Sequence, residues 1–325
     1  MNNILITGCS GEMGHGLINQ LRENYENLFI SAIDLAEPND RIKSMVSSFT
    51  KADITNKKQI AEIVSSKSFD TVYHLAAILS TQAAHNQMLA HDVNVNGTLN
   101  IIESVINSQD SNHVTKIFFP SSIAVYNVGT SQYKPLNEDQ CCNPATVYGA
   151  HKLYCEQIGT ILSRNDSIDF RSIRFPGIIS ADTVPAGGTS DYGPEMLHAA
   201  IKGKSYQCFV NENAQIPFMT MPDAIKSISM IMSAESSHLS RRVYNVRGFA
   251  PKAKDFELEI LKSFPQFNVS YLPNRDRQRM VDSWPDDVSD QLAARDWNWK
   301  PSHNLTKAFS SYLIPRTKEI YSLNT

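Results

Sequence analysis

Tyr148 and Lys152 stand four residues apart, and Ser122 lies upstream of them at the end of an apparent strand. On a helix, that spacing puts the phenol and the ammonium on one face, one turn apart. A lysine cation beside a phenol favours the phenolate, which would bring a tyrosine of ordinary pKa ~10 toward use as a base. The Ser122 hydroxyl can hold the oxygen of a bound alcohol or ketone. These are the parts of a proton-coupled hydride transfer, provided a nicotinamide lies beside them. The same spacing also describes an ordinary surface pair on a helix, so the chemistry depends on what the rest of the chain supplies.

A hydride acceptor needs a cradle, and the first residues have the pattern for one. Asn3–Thr7 reads as a short apolar strand, and Gly8-Cys9-Ser10-Gly11-Glu12-Met13-Gly14 follows it, opening a helix through Leu17 and Leu21. Gly8 permits a tight turn, Gly11 lets a pyrophosphate approach the backbone, and Gly14 lets helix pack on strand. The start of the helix, at Glu12 and Met13, offers N–H groups and a partial positive charge to the phosphates. A second strand over 28–33 ends at Asp34, about twenty residues past Gly14, where an acid accepts hydrogen bonds from a ribose 2′-OH. A carboxylate there repels a 2′-phosphate, so NAD is favoured over NADP. Asp53 and Ile54 follow a third short strand at a position suited to adenine.

Residues 71–77 form an apolar run ending in Leu75-Ala76-Ala77, and small residues at a strand end suit the crevice where a dinucleotide crosses the sheet. Ile78-Leu79-Ser80 lead from it into the expected site. Asn94-x-x-Gly97-Thr98 opens a helix whose apolar Leu99, Ile102 and Val105 recur at helical spacing. Residues 116–119 lead to Ser122, and the next long helix carries Tyr148 and Lys152. Strands and helices alternate, which predicts an α/β protein: a doubly wound parallel-sheet Rossmann domain with a smaller, mainly C-terminal substrate domain. The expected bounds are 1–174 for the NAD-binding domain, completed by parts of 216–248, with 175–215 and 249–325 for the substrate domain.

Bulk composition narrows the partners. A net charge of −3 gives no reason to expect nucleic acid or an anionic membrane. No apolar run approaches the ~20 residues of a membrane span. The chain enters a strand at once, leaving no room for a leader, so a cytoplasmic protein is expected. The five cysteines are scattered, with Cys141 beside Cys142, and read as free thiols in a reducing compartment. The nine histidines include no His-Glu-x-x-His pair, so no metal site is expected.

As a set, Gly8-x-x-Gly11-x-x-Gly14, Asp34, His74-Leu75-Ala76-Ala77, Asn94-x-x-Gly97-Thr98, Ser122 and Tyr148-x-x-x-Lys152 resemble the extended short-chain dehydrogenase/reductase superfamily. The resemblance implies that Tyr148 is the catalytic base or acid, that Lys152 lowers its pKa and binds the nicotinamide ribose, and that Ser122 polarises the substrate oxygen. It also implies cofactor contacts at Leu75, Ala76, Ala77, Asn94, Phe175 and Ile178. The second half narrows this. Arg171-Ser172-Ile173-Arg174-Phe175-Pro176-Gly177, the stretch 185–192, Met219-Thr220-Met221-Pro222-Asp223-Ala224, Asp282-Ser283-Trp284-Pro285 and the stretch 294–301 resemble the short-chain type of L-threonine 3-dehydrogenase, essentially end to end. That resemblance implies NAD-dependent oxidation of the β-hydroxyl of L-threonine to 2-amino-3-oxobutanoate without a metal. It also implies a homodimer built on a four-helix bundle that includes the Tyr148–Lys152 helix. Ala186 and Ser190 depart from the family's usual glycine and threonine, Asn127 stands where glycine is usual, and the segment 274–278 is slightly longer.

Threonine presents a carboxylate, an ammonium and a secondary alcohol. Gly188-Thr189-Ser190 can converge backbone N–H groups and two hydroxyls on the carboxylate, though a plain glycine turn reads the same. Ser80 can add a polar contact, and Trp284 can cover the small substrate. Asp191 either faces the ammonium or braces the loop. Trp297 and Trp299 read as packing residues. The competing readings are a sugar-nucleotide epimerase or dehydratase on the same scaffold, and a redox-silent NAD-binding sensor.

Overall fold

The computed structural model describes residues 3–109, 114–127, 135–185 and 187–323. Ala186, one of the departures named above, lies outside them. Strand β1 (Asn3–Thr7) is followed by helix α1 (Glu12–Asn24), β2 (Phe29–Asp34), α2 (Asp40–Met45) and β3 (Ser48–Lys51). Helix α3 (Lys57–Ser65) leads to β4 (Thr71–His74). Helices α4 (Ser80–His85), α5 (Gln87–His91) and α6 (Thr98–Ser108) then precede β5 (Lys116–Ser122), with a π-helical turn over Asp92–Gly97. Helix α7 (Val147–Arg164) runs into β6 (Asp169–Phe175) and the short β7 (Gly177–Ile179). Next come α8 (Tyr192–Ile201), β8 (Tyr206–Cys208), β9 (Phe218–Thr220), α9 (Met221–Ser233) and β10 (Val243–Asn245). Helix α10 (Ala253–Leu261), β11 (Val269–Tyr271), α11 (Arg275–Asp282) and three further helices complete the described chain.

Seven strands form one sheet in the order β10-β6-β5-β4-β1-β2-β3. From β1 the chain builds outward through β2 and β3, then returns to the other side of β1 with β4. That reversal makes the crevice at the carboxyl ends of β1 and β4 the natural ligand site of the doubly wound sheet. The registers Thr7↔Ile33 and Thr7↔His74 bring the three strand ends together there. Every residue of β4 is buried, as a central strand covered by helices on both faces requires. One side of the sheet packs Leu5, Val72, Ile117 and Phe119 against Ile60 and Ile101 from α3 and α6.

The chain divides into two compact units. The first comprises Met1–Val125, Thr146–Arg174 and Ile225–Tyr244; the second comprises Tyr126–Ala145, Phe175–Ala224 and Asn245–Thr325. This differs from the expected bounds in one segment above all. Residues 126–145 sit in the middle of the expected NAD-binding domain, yet belong to the second unit. Leu136 explains it: its N–H donates to Asp287 O at 3.0 Å, and its carbonyl accepts from Ser289 N at 2.7 Å. Glu138 reinforces the tie by accepting from Asn245 N at 2.9 Å. Of the stretch 216–248, Ile225–Tyr244 belongs to the first unit, while strand β9 pairs with β7 in the second. In the first unit, the buried Arg171 on β6 donates to the carbonyls of Ile231 and Ala234 at 2.6 and 2.7 Å and so caps the end of α9. Asp169 balances that cation, accepting from Arg171 Nη2 at 2.6 Å and from Arg242 Nη1 at 3.0 Å.

Candidate active site

The turn from β1 to α1 tests whether this chain fits a dinucleotide. Gly8 has φ +72°, and a Cβ there would lie 2.6 Å from Ala76 N. A Cβ on Gly14 would lie 2.5 Å from Gly8 O and 2.7 Å from Cys9 O. Both positions therefore exclude any side chain. Gly11 differs: its Cβ would meet only Gly8 O, at 3.4 Å, and otherwise points into open space. No side chain caps the start of α1, which leaves its first turn, including Glu12 and Met13, as an anion-attracting end. Asp34 is fixed beside it, accepting from Ser10 N and from Ala36 N, both at 3.0 Å. Each carboxylate oxygen keeps lone-pair capacity for a diol. The cradle, the helix end and the acid together fit a dinucleotide.

Asp53 and Ile54 part company. Asp53 Oδ1 accepts from Thr55 N at 2.9 Å and Thr55 Oγ1 at 2.8 Å, making a turn. The Ile54 side chain is buried in the core against Gly97 and is committed to packing.

At the end of β4, the small residues Leu75, Ala76 and Ala77 are half-buried. Their course is set by polar groups beneath them. Thr98 Oγ1 donates to Asn94 O at 2.7 Å, so it accepts from His74 Nε2 at 3.0 Å. His74 Nδ1 is then the acceptor for Thr7 Oγ1 at 2.8 Å, and Thr7 Oγ1 accepts from Ala76 N at 3.1 Å. One tautomer satisfies the whole chain. Burial, helped by the Lys152 charge, pushes His74 down to about 3, so it stays neutral. Asn94 clamps the next residues at two points: its Oδ1 accepts from Ile78 N at 2.7 Å and its Nδ2 donates to Ile78 O at 2.9 Å. Ser80 follows as the first residue of α4. Asn94 was expected near the cofactor, whereas Thr7, His74 and Thr98 were not singled out as a unit.

Ser122, Tyr148 and Lys152 come together in the first unit. Thr146 Oγ1 accepts from Gly149 N at 3.1 Å and starts α7 so that Tyr148 falls in its first turn. The Ser122 hydroxyl lies beside the Tyr148 phenol and favours its ionised form, and Ser122 Oγ accepts from Ala124 N at 3.2 Å. The buried Lys152 donates from Nζ to Pro120 O at 2.7 Å and lies 5.5 Å from the centre of the Tyr148 ring. Burial pushes the Tyr148 phenol up to about 12, against the neighbouring Ser122 hydroxyl, which lowers it. The lysine is directed at a carbonyl and is itself pushed down to about 8, mainly by burial.

Behind them stands a group that local spacing did not reveal. Glu156, one turn past Lys152 and fully buried, accepts from Arg174 Nε at 2.9 Å and Nη2 at 2.7 Å. Ser121 Oγ donates to the same carboxylate. The four-residue step from Lys152 to Glu156 was the available signal.

The remaining site candidates lie in the second unit. Gly188 N donates to Asp191 Oδ2 at 2.7 Å, Thr189 Oγ1 donates to Met280 Sδ at 2.9 Å, and Gly188 O accepts from Arg277 Nη2 at 2.7 Å. Two donors expected to converge on a carboxylate are thus used inside the loop, and Thr189 is buried. Asp191 thus braces this turn through one carboxylate oxygen. Ser190 and Ile178 are half-buried, while Phe175 and Trp284 are buried. Trp297 and Trp299 are buried with ring centroids 5.7 Å apart, in keeping with packing. Among the described residues no group of three or more His, Cys, Asp or Glu is placed to hold a metal ion, and no helix is long and apolar enough to cross a membrane.

Known proteins resemble this chain over nearly its whole length. Residues 4–246 match the NAD dependent epimerase/dehydratase family. The mitochondrial L-threonine 3-dehydrogenase of Sus scrofa is 32% identical over 313 residues, covering 95% of this chain and 81% of that protein. A monomeric L-threonine 3-dehydrogenase from a metagenome superposes with a TM-score of 0.87 at 36% identity, covering 98% of this chain and 99% of the other. The L-threonine 3-dehydrogenase of Trypanosoma brucei superposes with a TM-score of 0.89 at 31% identity, covering 99% and 98%. With a dinucleotide cradle on a doubly wound sheet and these relatives, the chain belongs to the NAD dependent epimerase/dehydratase family of extended short-chain dehydrogenases/reductases and is an oxidoreductase that uses NAD.

Proposed function

We propose that this chain oxidises the β-hydroxyl of L-threonine to 2-amino-3-oxobutanoate, with Tyr148 as the base. The observation that carries the chemistry is Ser122 beside Tyr148, with the buried Lys152 one helical turn on. The substrate rests on the L-threonine 3-dehydrogenases that align with 95% or more of this chain.

In this reading Ser122 donates to the substrate hydroxyl oxygen and orients it, while Tyr148, as phenolate, accepts the hydroxyl proton. NAD, when bound, supplies the acceptor for the hydride leaving the β-carbon and, in its oxidised form, a positive charge. Because burial holds the phenol at about 12, work near neutrality requires a cationic field, and Lys152 contributes to it while protonated. Gly8, Gly11, Glu12, Met13 and Gly14 hold the pyrophosphate, Asp34 the adenosine ribose, and Asp53 the adenine edge. Leu75, Ala76, Ala77, Asn94, Phe175 and Ile178 complete the cofactor contacts. Ser80, Ser190 and Trp284 take the rest of threonine, on a loop framework set by Gly188, Thr189 and Asp191.

A homodimer is part of this proposal. The outer face of α7 carries Ala150, Tyr154, Gln157, Ile161 and Arg164 at heptad-like spacing, with Tyr154 and Ile161 44% and 49% exposed. Multi-angle light scattering at micromolar protein is expected to give twice the chain mass; a monomer counts against it. The five free cysteines fit a reducing, cytoplasmic setting. Enzyme assays separate the substrate readings: NADH should form with L-threonine and not with a UDP-sugar. Turnover with the UDP-sugar alone would move the assignment to an epimerase or dehydratase. Absence of turnover with either would favour a binding protein.

A further inference from the structure

Three consecutive residues at the end of β5 hold three successive turns of α7. The Pro120 carbonyl accepts from Lys152 Nζ, the Ser121 hydroxyl donates to Glu156, and the Ser122 hydroxyl lies beside Tyr148. Tyr148, Lys152 and Glu156 are spaced by four along the helix, so strand and helix are in register at every step. From β6, Arg174 grips both carboxylate oxygens of Glu156 in a buried, two-point ion pair. The groups facing Lys152 are Tyr148, His151, Cys155 and Glu156 on its own helix and the neutral His74 from β4. Paired with Arg174, Glu156 is the anion among them.

We infer that Glu156, held by Arg174 and Ser121, is a positioning residue for the hydride-transfer centre: it keeps the buried Lys152 ammonium charged and fixes the depth of α7 against β5, and with it the Ser122–Tyr148 contact. The inference rests on the proposed role of Lys152 and Tyr148. Burial pushes Lys152 down, and Glu156 is among the charges that hold it up. Without that carboxylate the burial penalty stands less opposed, and the lysine loses its proton at lower pH. The cation that favours the phenolate then disappears within the working range.

The test is Glu156→Gln, which keeps size and one acceptor while removing the charge. The Lys152 side chain is titrated by NMR in cofactor-free protein carrying carbon-13 lysine, its signal assigned with Lys152→Arg. The midpoint should fall by about one pH unit or more, the scale of a nearby opposite charge. The alkaline limb of kcat/KM for alcohol oxidation should fall with it. Glu156→Asp keeps the charge and shortens the reach; its Lys152 midpoint should stay near wild type while kcat drops roughly tenfold or more. Glu156→Gln leaves the Arg174 cation unpaired, so Glu156→Gln/Arg174→Met, which removes the ion pair whole, is made alongside and should show a smaller fall in the midpoint than Glu156→Gln alone. A Lys152 midpoint and alkaline limb unchanged in the folded variant overturn the inference. Turnover surviving in Tyr148→Phe instead overturns the base assignment, and leaves the NMR result to judge Glu156.

Discussion

Alanine at each of the three loop glycines should separate folding from cofactor binding, because the three positions face different neighbours. At Gly14 a Cβ would sit 2.5, 2.7 and 2.8 Å from Gly8 O, Cys9 O and Cys9 C, all backbone atoms with no side chain to swing aside. Overpacking of that kind costs about 1–3 kcal/mol. At Gly8 the added methyl meets Ala76 N at 2.6 Å, and φ +72° adds about 1–2 kcal/mol for a left-handed alanine. At Gly11 the backbone is extended (φ −76°, ψ 164°) and the nearest neighbour would be at 3.4 Å, so alanine costs under about 1 kcal/mol. For a domain of this size each kcal/mol moves the melting temperature by roughly 2–4 °C. Cofactor-free Gly8→Ala and Gly14→Ala should therefore melt several degrees low, while Gly11→Ala should stay within about 4 °C of wild type. Its methyl, however, enters the space the pyrophosphate needs. Calorimetric titration with NAD should show Gly11→Ala weakened by tenfold or more, about 1.4 kcal/mol. Wild-type NAD affinity in Gly11→Ala, or a melting loss equal to that of Gly14→Ala, would refute the reasoning.

Two further outcomes follow from hydrogen-bonded side chains. His74 is held neutral with its folded pKa near about 3, against 6.5 in an unfolded chain. Below 6.5 the unfolded state binds the extra proton, so the stability that His74 lends above that pH is lost as pH falls toward 3. Urea unfolding across pH 4–7 should therefore show a shallower pH dependence for His74→Gln than for wild type; equal slopes would argue against a neutral histidine there. Asp191→Ala should raise the KM for L-threonine more than that for NAD, by releasing the Gly188 turn. Steady-state kinetics with each substrate varied in turn checks this, and a selective rise in the NAD KM would contradict it.

Legibility in the sequence followed distance along the chain. The turn from β1 to α1, the strand-end Asp34 and the Tyr148–Lys152 step are local, and period and glycine spacing were enough to find them. Ser122 joined them because its strand is followed by their helix. What spacing could not show were bonds between distant segments: Thr7 to His74 to Thr98, or Ser121 and Arg174 on Glu156. Nor could it show that Leu136 would add its segment to residues 287–289 rather than to the sheet around it. The bonds inside the substrate loop are of the same kind. Gly188 and Thr189 look like an open nest until Asp191 and Met280 are found on them.

NADH formation from L-threonine, compared between wild type and Tyr148→Phe, tests the central claim most directly. The phenyl ring keeps the packing of the first turn of α7 and removes only the hydroxyl beside Ser122. Wild type should reduce NAD with L-threonine, and the variant should bind NAD with unchanged affinity while turnover falls by a factor of ~100 or more. Turnover within a few-fold of wild type in Tyr148→Phe would contradict the account.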